Sequence, residues 1–357
     1  MDLEGRIEAF TILGSFLRQF APGKLTKTAT LKRINDLYYD PFEQLIRQLY
    51  LYNAWFTEEN VRESINAISN SLTREKIDHW LKPYSLPGRN PSPKKIAVVM
   101  AGNIPLVGFH DMLSVLISGN VFIGKTSAKD EKLIKAVADV LIAINPEFKN
   151  HIFFEDNQLG EFDAVIATGS DNTSRYFEYY FGKYPHLIRK NRNSIAVLSG
   201  QETQDKLKAL GEDIFLYFGL GCRNVSKLFV PAAYNFNSFF QSIEHYQYLY
   251  NHNKYANNYD YNKSVYLLNQ TAHLDNGFVL IKEDKGFSSP VGTIFYECYS
   301  DKLKLFEYLQ FNKDKIQCVV SDNGFVQESI SFGMAQKPEL WDYADCVDTI
   351  KFLINLN

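Results

Sequence analysis

Lys95-Ile-Ala-Val-Val-Met-Ala-Gly102 is an unbroken apolar run after its first residue, and it ends on glycine. A short run without polar alternation is the pattern of a parallel strand buried on both faces. The chain beyond it alternates. A helical segment over 106–117 is followed by a strand over 121–124 and a helix over 130–144. Short strands over 152–154 and 163–167, a helix over 172–181 and a strand over 194–198 continue the pattern. Strands joined by crossover helices predict a doubly wound, Rossmann-type α/β domain over 93–200. Such sheets bind ligands outside the carboxyl ends of their strands. Three loops fall at such ends: Ala101-Gly-Asn-Ile-Pro105, Gly124-Lys-Thr-Ser127 and Ala167-Thr-Gly-Ser-Asp171.

Residues 1–92 read as a helical N-terminal segment packing on this domain. Leu3, Ile7, Phe10, Leu13 and Leu17 make one amphipathic stripe, and further helical patterns run over 42–56 and 61–81. Lys82-Pro-Tyr-Ser-Leu-Pro-Gly-Arg-Asn-Pro-Ser-Pro93, with four prolines, continues neither helix nor central strand and reads as the connector. Nothing in these 92 residues reads as catalytic. On the C-terminal side, a helix over 203–216 leads into Gly219-Leu-Gly-Cys-Arg-Asn-Val225, and 235–250 reads as helical. The Asn- and Tyr-rich stretch 250–266, with Lys254 and Lys263, reads as a solvated surface segment, or else as a rim for a phosphate-bearing ligand. Strand-like Phe278-Val-Leu-Ile281, Thr293-Ile-Phe-Tyr296 and Cys318-Val-Val320 predict a second, smaller sheet. These elements define a catalytic domain over 201–345, followed by a tail, 346–357, with a final apolar strand or helix over 350–356.

The 357 residues are 45% hydrophobic and 22% charged, which excludes a largely disordered chain. A net charge of −3 gives no basic field for nucleic acid. No apolar run approaches the roughly 18 residues of a membrane span, and the start lacks a signal-peptide pattern. Cys222, Cys298, Cys318 and Cys346 form no metal-ligand spacing, which predicts free thiols, a cytoplasmic protein and no metal site. No GxGxxG fingerprint is present.

Cys222 is the candidate nucleophile. Glycine on its N-terminal side permits a tight bend and close substrate approach. A thiolate there attacks a carbonyl carbon while backbone N–H groups face the oxyanion. A packing role competes, because free cysteine behaves as a small hydrophobe; Cys298, Cys318 and Cys346 are read that way. Arg223 reads equally as a cation that keeps the sulfur ionised or as a surface salt bridge. Thr168-Gly169-Ser170 reads as a phosphate-receiving helix start or as a turn and cap. His110 reads as a base or as a plain helix-surface residue.

In order, these loops resemble the aldehyde dehydrogenase superfamily. Ala101-Gly-Asn-Ile-Pro105 and Leu116-Ile-Ser-Gly-Asn-Val-Phe-Ile-Gly-Lys-Thr-Ser127 are similar to its asparagine–proline loop and its "Lys-Pro-Ser-Glu" strand. Ala167-Thr-Gly-Ser170 is similar to its "Thr-Gly-Ser" helix start, and Gly221-Cys222 to its nucleophile loop. Over 189–197, in the Gly-Cys-Arg-Asn turn and in Phe332-Gly-Met-Ala-Gln-Lys-Pro-Glu-Leu-Trp341, the chain resembles the fatty acyl-CoA reductases of the bacterial bioluminescence (LuxC) type.

The resemblance implies a cofactor domain plus a smaller catalytic domain, with Cys222 and Asn103 catalytic. It assigns cofactor contacts to Lys125, Ser127, Lys129, Thr168, Gly169 and Ser170. It implies an acyl-CoA substrate with coenzyme A as leaving group, an acyl-protein synthetase partner and a homo-oligomer. Three departures matter. The glutamate that activates water in "Glu-Leu-Gly-Gly-Lys" has no counterpart in Arg189-Lys-Asn-Arg-Asn193, so a thiol or hydride must resolve the acyl-enzyme. The acidic residue of "Lys-Pro-Ser-Glu" is replaced by Ala128 with Lys129 beyond, which favours NADPH over NADH, although Asp130 stands as a possible ribose partner. Phe287-Ser-Ser-Pro-Val291 lacks the glutamate that holds the nicotinamide ribose. A reductase of acyl phosphates or short acyl-CoA, and a non-catalytic scaffold, remain alternatives.

Overall fold

The computed structural model describes residues 1–23, 26–155, 159–169, 171–322 and 324–356, with backbone alone at Asp171 and Asn172. The chain forms two compact units, Met1–Lys190 with Glu339–Asn357, and Asn191–Pro338.

The first unit opens with helices α1 (Leu3–Arg18), α2 (Lys32–Gln48), α3 (Glu58–Ser71) and α4 (Arg74–Leu81). Ile7, Phe10, Leu13 and Leu17 of the α1 stripe are buried as their spacing predicts, with Leu3 half-buried, and the Asp2 side chain caps the helix by accepting from the Gly5 N–H. Helix α2 begins well before residue 42. Its core-facing Asn35 is polar and buried, satisfied by reciprocal bonds of 2.9 Å with the Gln19 side chain, so apolar periodicity does not reveal it. The 61–81 pattern is two helices, because Leu72 leaves helical conformation (φ −87°, ψ 43°) and Thr73 starts the next helix by accepting from the Lys76 N–H.

Five parallel strands follow: β1 (Lys95–Val99), β2 (Val121–Lys125), β3 (Ile152–Phe154), β4 (Ala164–Thr168) and β5 (His186–Arg189). They are joined by α5 (Phe109–Ile117), α6 (Glu131–Ile144) and α7 (Asp171–Phe181), and their order is β3-β2-β1-β4-β5. The chain thus builds outward from β1 on one side and restarts at β4 on the other. This is a doubly wound sheet whose topological switch point lies between β1 and β4. The edge strand β5 is absent from the sequence reading; His186 and Arg189 leave only two apolar residues between them, so no apolar run marks it.

The second unit carries β6 (Asn193–Val197), α8 (Gln204–Phe215), β7 (Val225–Pro231), α9 (Asn237–Ile243), α10 (Asn253–Leu268), β8 (Leu274–Asp275), β9 (Leu280–Glu283), β10 (Thr293–Tyr299), α11 (Lys302–Phe311) and β11 (Ile316–Ser321). Its sheet order is β11-β6-β7-β10-β9-β8, parallel except at the β8–β9 pair. Two expectations change here. Strand 194–198, placed by sequence in the first domain, pairs with β7 and β11, so this sheet has six strands, one more than the first. The stretch 250–266 is not a solvated segment but helix α10, which buries Tyr255, Tyr259, Asn262 and Tyr266 along one face. Lys263 pairs with Asp275 on β8 at 2.7 Å rather than rimming a site.

Residues from Glu339 return to the first unit, where the sequence reading kept them in the catalytic domain up to 345. The tail ends in helix α12 (Thr349–Ile354), whose Ile350 and Leu353 enter the core built by α1–α6 and β1–β4. Among the described residues, no helix is long and apolar enough to cross a membrane, and no group of side chains has metal-site geometry.

Candidate active site

In the first unit, the three sequence-predicted loops follow β1, β2 and β4, at the carboxyl ends of neighbouring strands. The loop after β1 and the turn after β2 interlock. Met100 donates its N–H to the Lys125 carbonyl at 3.0 Å. A Cβ on Gly102 would lie 2.6 Å from the Ser127 side chain, so only glycine lets the loop pass there. Asn103 is exposed beside that contact, Lys125 and Ser127 are half-buried, and Ala128 and Lys129 are exposed.

Asp130 does not face outward as a ribose partner. It is buried, and its Oδ2 accepts the Leu106 N–H at 2.8 Å. Burial pushes its carboxyl up to about 8, opposed by the Leu106 and Val107 N–H groups. Thr168 closes β4, and Gly169 donates to the Arg189 carbonyl at 3.5 Å. A side chain on Gly169 would meet Thr173 and Phe177 of α7 at 2.9 Å, so glycine here serves strand–helix packing. Ser170 lies outside the described residues.

His110 is not an idle surface residue. It is half-buried, its Nε2–H donates to the Leu340 carbonyl at 2.9 Å, and its ring packs on Trp80 and Tyr343. Arg189 is buried and pairs with the buried Asp111 at 2.6 Å while donating to Thr349 Oγ1 at 3.0 Å.

In the second unit, Cys222 stands exposed on the turn between α8 and β7. The approach to it is strained. Tyr217 and Phe218 adopt φ of 55° and 57°, and Gly219 follows at 75°. Left-handed conformations at two aromatic residues cost of order 1–3 kcal/mol each and persist only where the surroundings over-determine them. Asn224 does so. Buried at 2% exposure, its Oδ1 accepts the Gly221 N–H at 2.8 Å. Its Nδ2 donates to the carbonyls of Asp213, Ile214 and Leu216 at 3.2, 3.1 and 2.8 Å. The cysteine turn is thereby tied to the end of α8.

A second set of bonds holds Cys222 itself. Ser194 on β6 donates its hydroxyl proton to the Cys222 carbonyl at 2.9 Å, and its Oγ lies 3.0 Å from Cys318 Sγ. With the hydroxyl proton on the Cys222 carbonyl, a protonated Cys318 thiol can donate to Ser194. Burial raises Cys318 to about 11, with Arg223 the main opposing influence. Arg223 also donates to the Ala335 carbonyl at 3.4 Å. Beneath, fully buried Asp213 accepts the Gly333 and Ala335 N–H groups at 2.7 and 2.8 Å, which seats 333–335 on α8; burial pushes its carboxyl up to about 7.

The sequence reading therefore located the cysteine but not Ser194, Asn224, Asp213 or the role of Cys318. It read Cys298 and Cys346 as packing residues, whereas both are exposed. Ser226 donates to the Phe287 carbonyl at 2.6 Å, which draws the stretch 287–291 to the start of β7.

Solved structures define the class. The chain is similar to aldehyde dehydrogenase 21 from Physcomitrella patens, solved with the reaction product succinate, at 11% identity over 99% of this chain and 87% of that one, TM-score 0.65. It is similar to betaine aldehyde dehydrogenase from Staphylococcus aureus, solved with NAD+, at 12% identity over 89% and 72%, TM-score 0.59. A third likeness is to the NADP-dependent glyceraldehyde-3-phosphate dehydrogenase from Bacillus halodurans, solved with NADP, at 12% identity over 90% and 74%, TM-score 0.57. At such identities the likeness is one of fold: this is an aldehyde dehydrogenase-type α/β protein. The sequence profile of the acyl-CoA reductase (LuxC) family matches residues 24–321, and the chain belongs to that family. It is an enzyme, an aldehyde-forming acyl reductase. No curated protein sequence matches it.

Proposed function

We propose that the enzyme reduces an acyl thioester, an acyl-CoA, to the aldehyde through an acyl group held on Cys222, with NADPH as reductant. The observation that carries this reading is an exposed cysteine on a strained turn pinned by Asn224 and Ser194. Its thiolate attacks the thioester carbonyl, the carbon–sulfur bond to coenzyme A breaks, and the thiol leaves. We assign the oxyanion to the Asn103 amide and the Cys222 backbone N–H; loss of one such donor costs about 10²–10³ in rate.

The cofactor falls to the first unit and the nucleophile to the second. Bound NADPH supplies a hydride for the acyl carbon. The Cys222–carbon bond then breaks, releasing aldehyde and returning the thiolate. The turn after β2 fits a phosphorylated ribose: it offers Lys125, Ser127 and Lys129, and the neighbouring carboxylate, Asp130, is turned inward. Arg189-Lys-Asn-Arg-Asn193 has no carboxylate to activate water, which supports reduction over hydrolysis.

Intact-mass spectrometry after mixing with acyl-CoA of graded chain length tests this. We expect one acyl adduct, absent in Cys222→Ala and discharged by NADPH. Absence of any adduct on the native enzyme would overturn the thioester reading.

A further inference from the structure

We infer that Asp130 and Ser64 are positioning residues for Asn103, clamping the 100–108 loop from α6 and from α3; the inference rests on the oxyanion role given to Asn103 above. Each side chain departs from what its own helix would ask of it. Asp130 occupies the N-cap position of α6 yet makes no capping hydrogen bond; its carboxylate goes to the Leu106 N–H instead. Ser64 sits within α3, where a serine hydroxyl ordinarily bonds back to its own helix. Here it donates across 41 residues to the Pro105 carbonyl at 2.7 Å. Two consecutive loop residues are therefore gripped from separate elements. Both grips fall on the single Pro105–Leu106 peptide, and directly after it Leu106 is held at φ 58°, a conformation a branched residue adopts only under constraint.

The other side of Asn103 is held as well, by the Met100 N–H bond to the Lys125 carbonyl, with Gly102 passing close against Ser127. Asn103 and Ile104 thus form a short span between two anchors, and release of the clamp moves the Asn103 amide with it. Misplacement of a catalytic group by about 1 Å costs on the order of 10²-fold. The N-terminal helices, in which the sequence shows no chemistry, would then take part in the reaction through Ser64.

The test is a double-mutant cycle on the rate of acyl-enzyme formation from acyl-CoA, with alkylation of Cys222 by iodoacetamide run in parallel, since alkylation forms no oxyanion. Asp130→Ala is expected to slow acylation by about 10–100-fold and leave alkylation unchanged. Asp130→Asn, which keeps a carbonyl acceptor for the Leu106 N–H, should recover most of the rate. In an Asn103→Ala background, Asp130→Ala should cost little more. Ser64→Ala, run through the same cycle, carries the test if Asp130→Ala does not fold. Additive losses, equal slowing of alkylation, or native acylation rates in both clamp variants would overturn the inference while leaving the proposed function standing. A native enzyme that takes up no acyl group would overturn both.

Discussion

Cys222 was visible in the sequence because two glycines, Gly219 and Gly221, lead into it; what holds it was not. Ser194 reaches it across 28 residues and Cys318 reaches Ser194 across 124, and no spacing rule joins such positions. Asp130 was misread for a related reason. A carboxylate beside a cofactor turn suggests a ribose contact, and only the fold shows it buried on the Leu106 N–H. Burial carries a pH signature. Its carboxyl rises from the ordinary 3.8 to about 8 in the folded protein, so between those values the native state holds a proton that the unfolded chain releases. Stability from this group is full below pH 3.8 and is lost as pH rises towards 8. Asparagine does not titrate. The Tm of Asp130→Asn relative to the native enzyme should therefore climb between about pH 4 and 8 and level off above that, as read by thermal melts at fixed salt. A difference that stays flat across that range would mean the carboxyl is ionised throughout.

At the scale of elements, apolar strands and stripes were legible, and polar-faced helices were not. Helix α10 turns Tyr255, Tyr259 and Tyr266 inward, at 1%, 2% and 8% exposure, yet its Asn and Tyr composition resembles a solvated loop. Tyrosine buries a large apolar ring whatever its hydroxyl suggests. The loops of the first sheet were legible, because continuous apolar strands end abruptly at Gly102, Lys125 and Thr168. The turn after β2 carries its own prediction. Its exposed residues are Ala128 and Lys129, and with Asp130 turned away it presents no carboxylate over 125–129. A 2′-phosphate bound at this turn would meet a cation rather than a like charge. Ala128→Glu should shift the ratio of kcat/KM for NADPH over NADH towards NADH by at least tenfold, about 1.4 kcal/mol. An unchanged ratio would remove this turn from cofactor selection.

For the whole chain, local patterning predicted a linear succession of domains, and the fold is not linear. The second unit, Asn191–Pro338, interrupts the first, and residues from Glu339 complete what the first 190 residues began. Strand β6 shows why this was hidden: periodicity marks a strand but not its partners, and β6 pairs forward with β7 and β11. The returning tail is bound by side chains of every kind. Lys76 pairs with Glu339 at 2.7 Å, Trp80 Nε1 donates to the Tyr343 hydroxyl at 2.7 Å, and Tyr84 donates to Asp348 at 2.8 Å. Leu340, Ile350 and Leu353 are buried at 3%, 0% and 0% exposure. At about 1.5–3 kcal/mol for each buried aliphatic side chain, these three alone contribute roughly 5–9 kcal/mol, which rivals the net stability of an ordinary domain. Thr349 also completes the buried Arg189–Asp111 pair. A chain ending at Pro338 should therefore fail to hold its first unit folded. Trp55 and Trp80 remain in that chain and both lie in the first unit, so their fluorescence reports on it directly. In urea titrations the truncated chain should show no folded baseline for this signal, or a midpoint far below that of the full chain. A native midpoint would mean that the tail rides on the first unit without stabilising it.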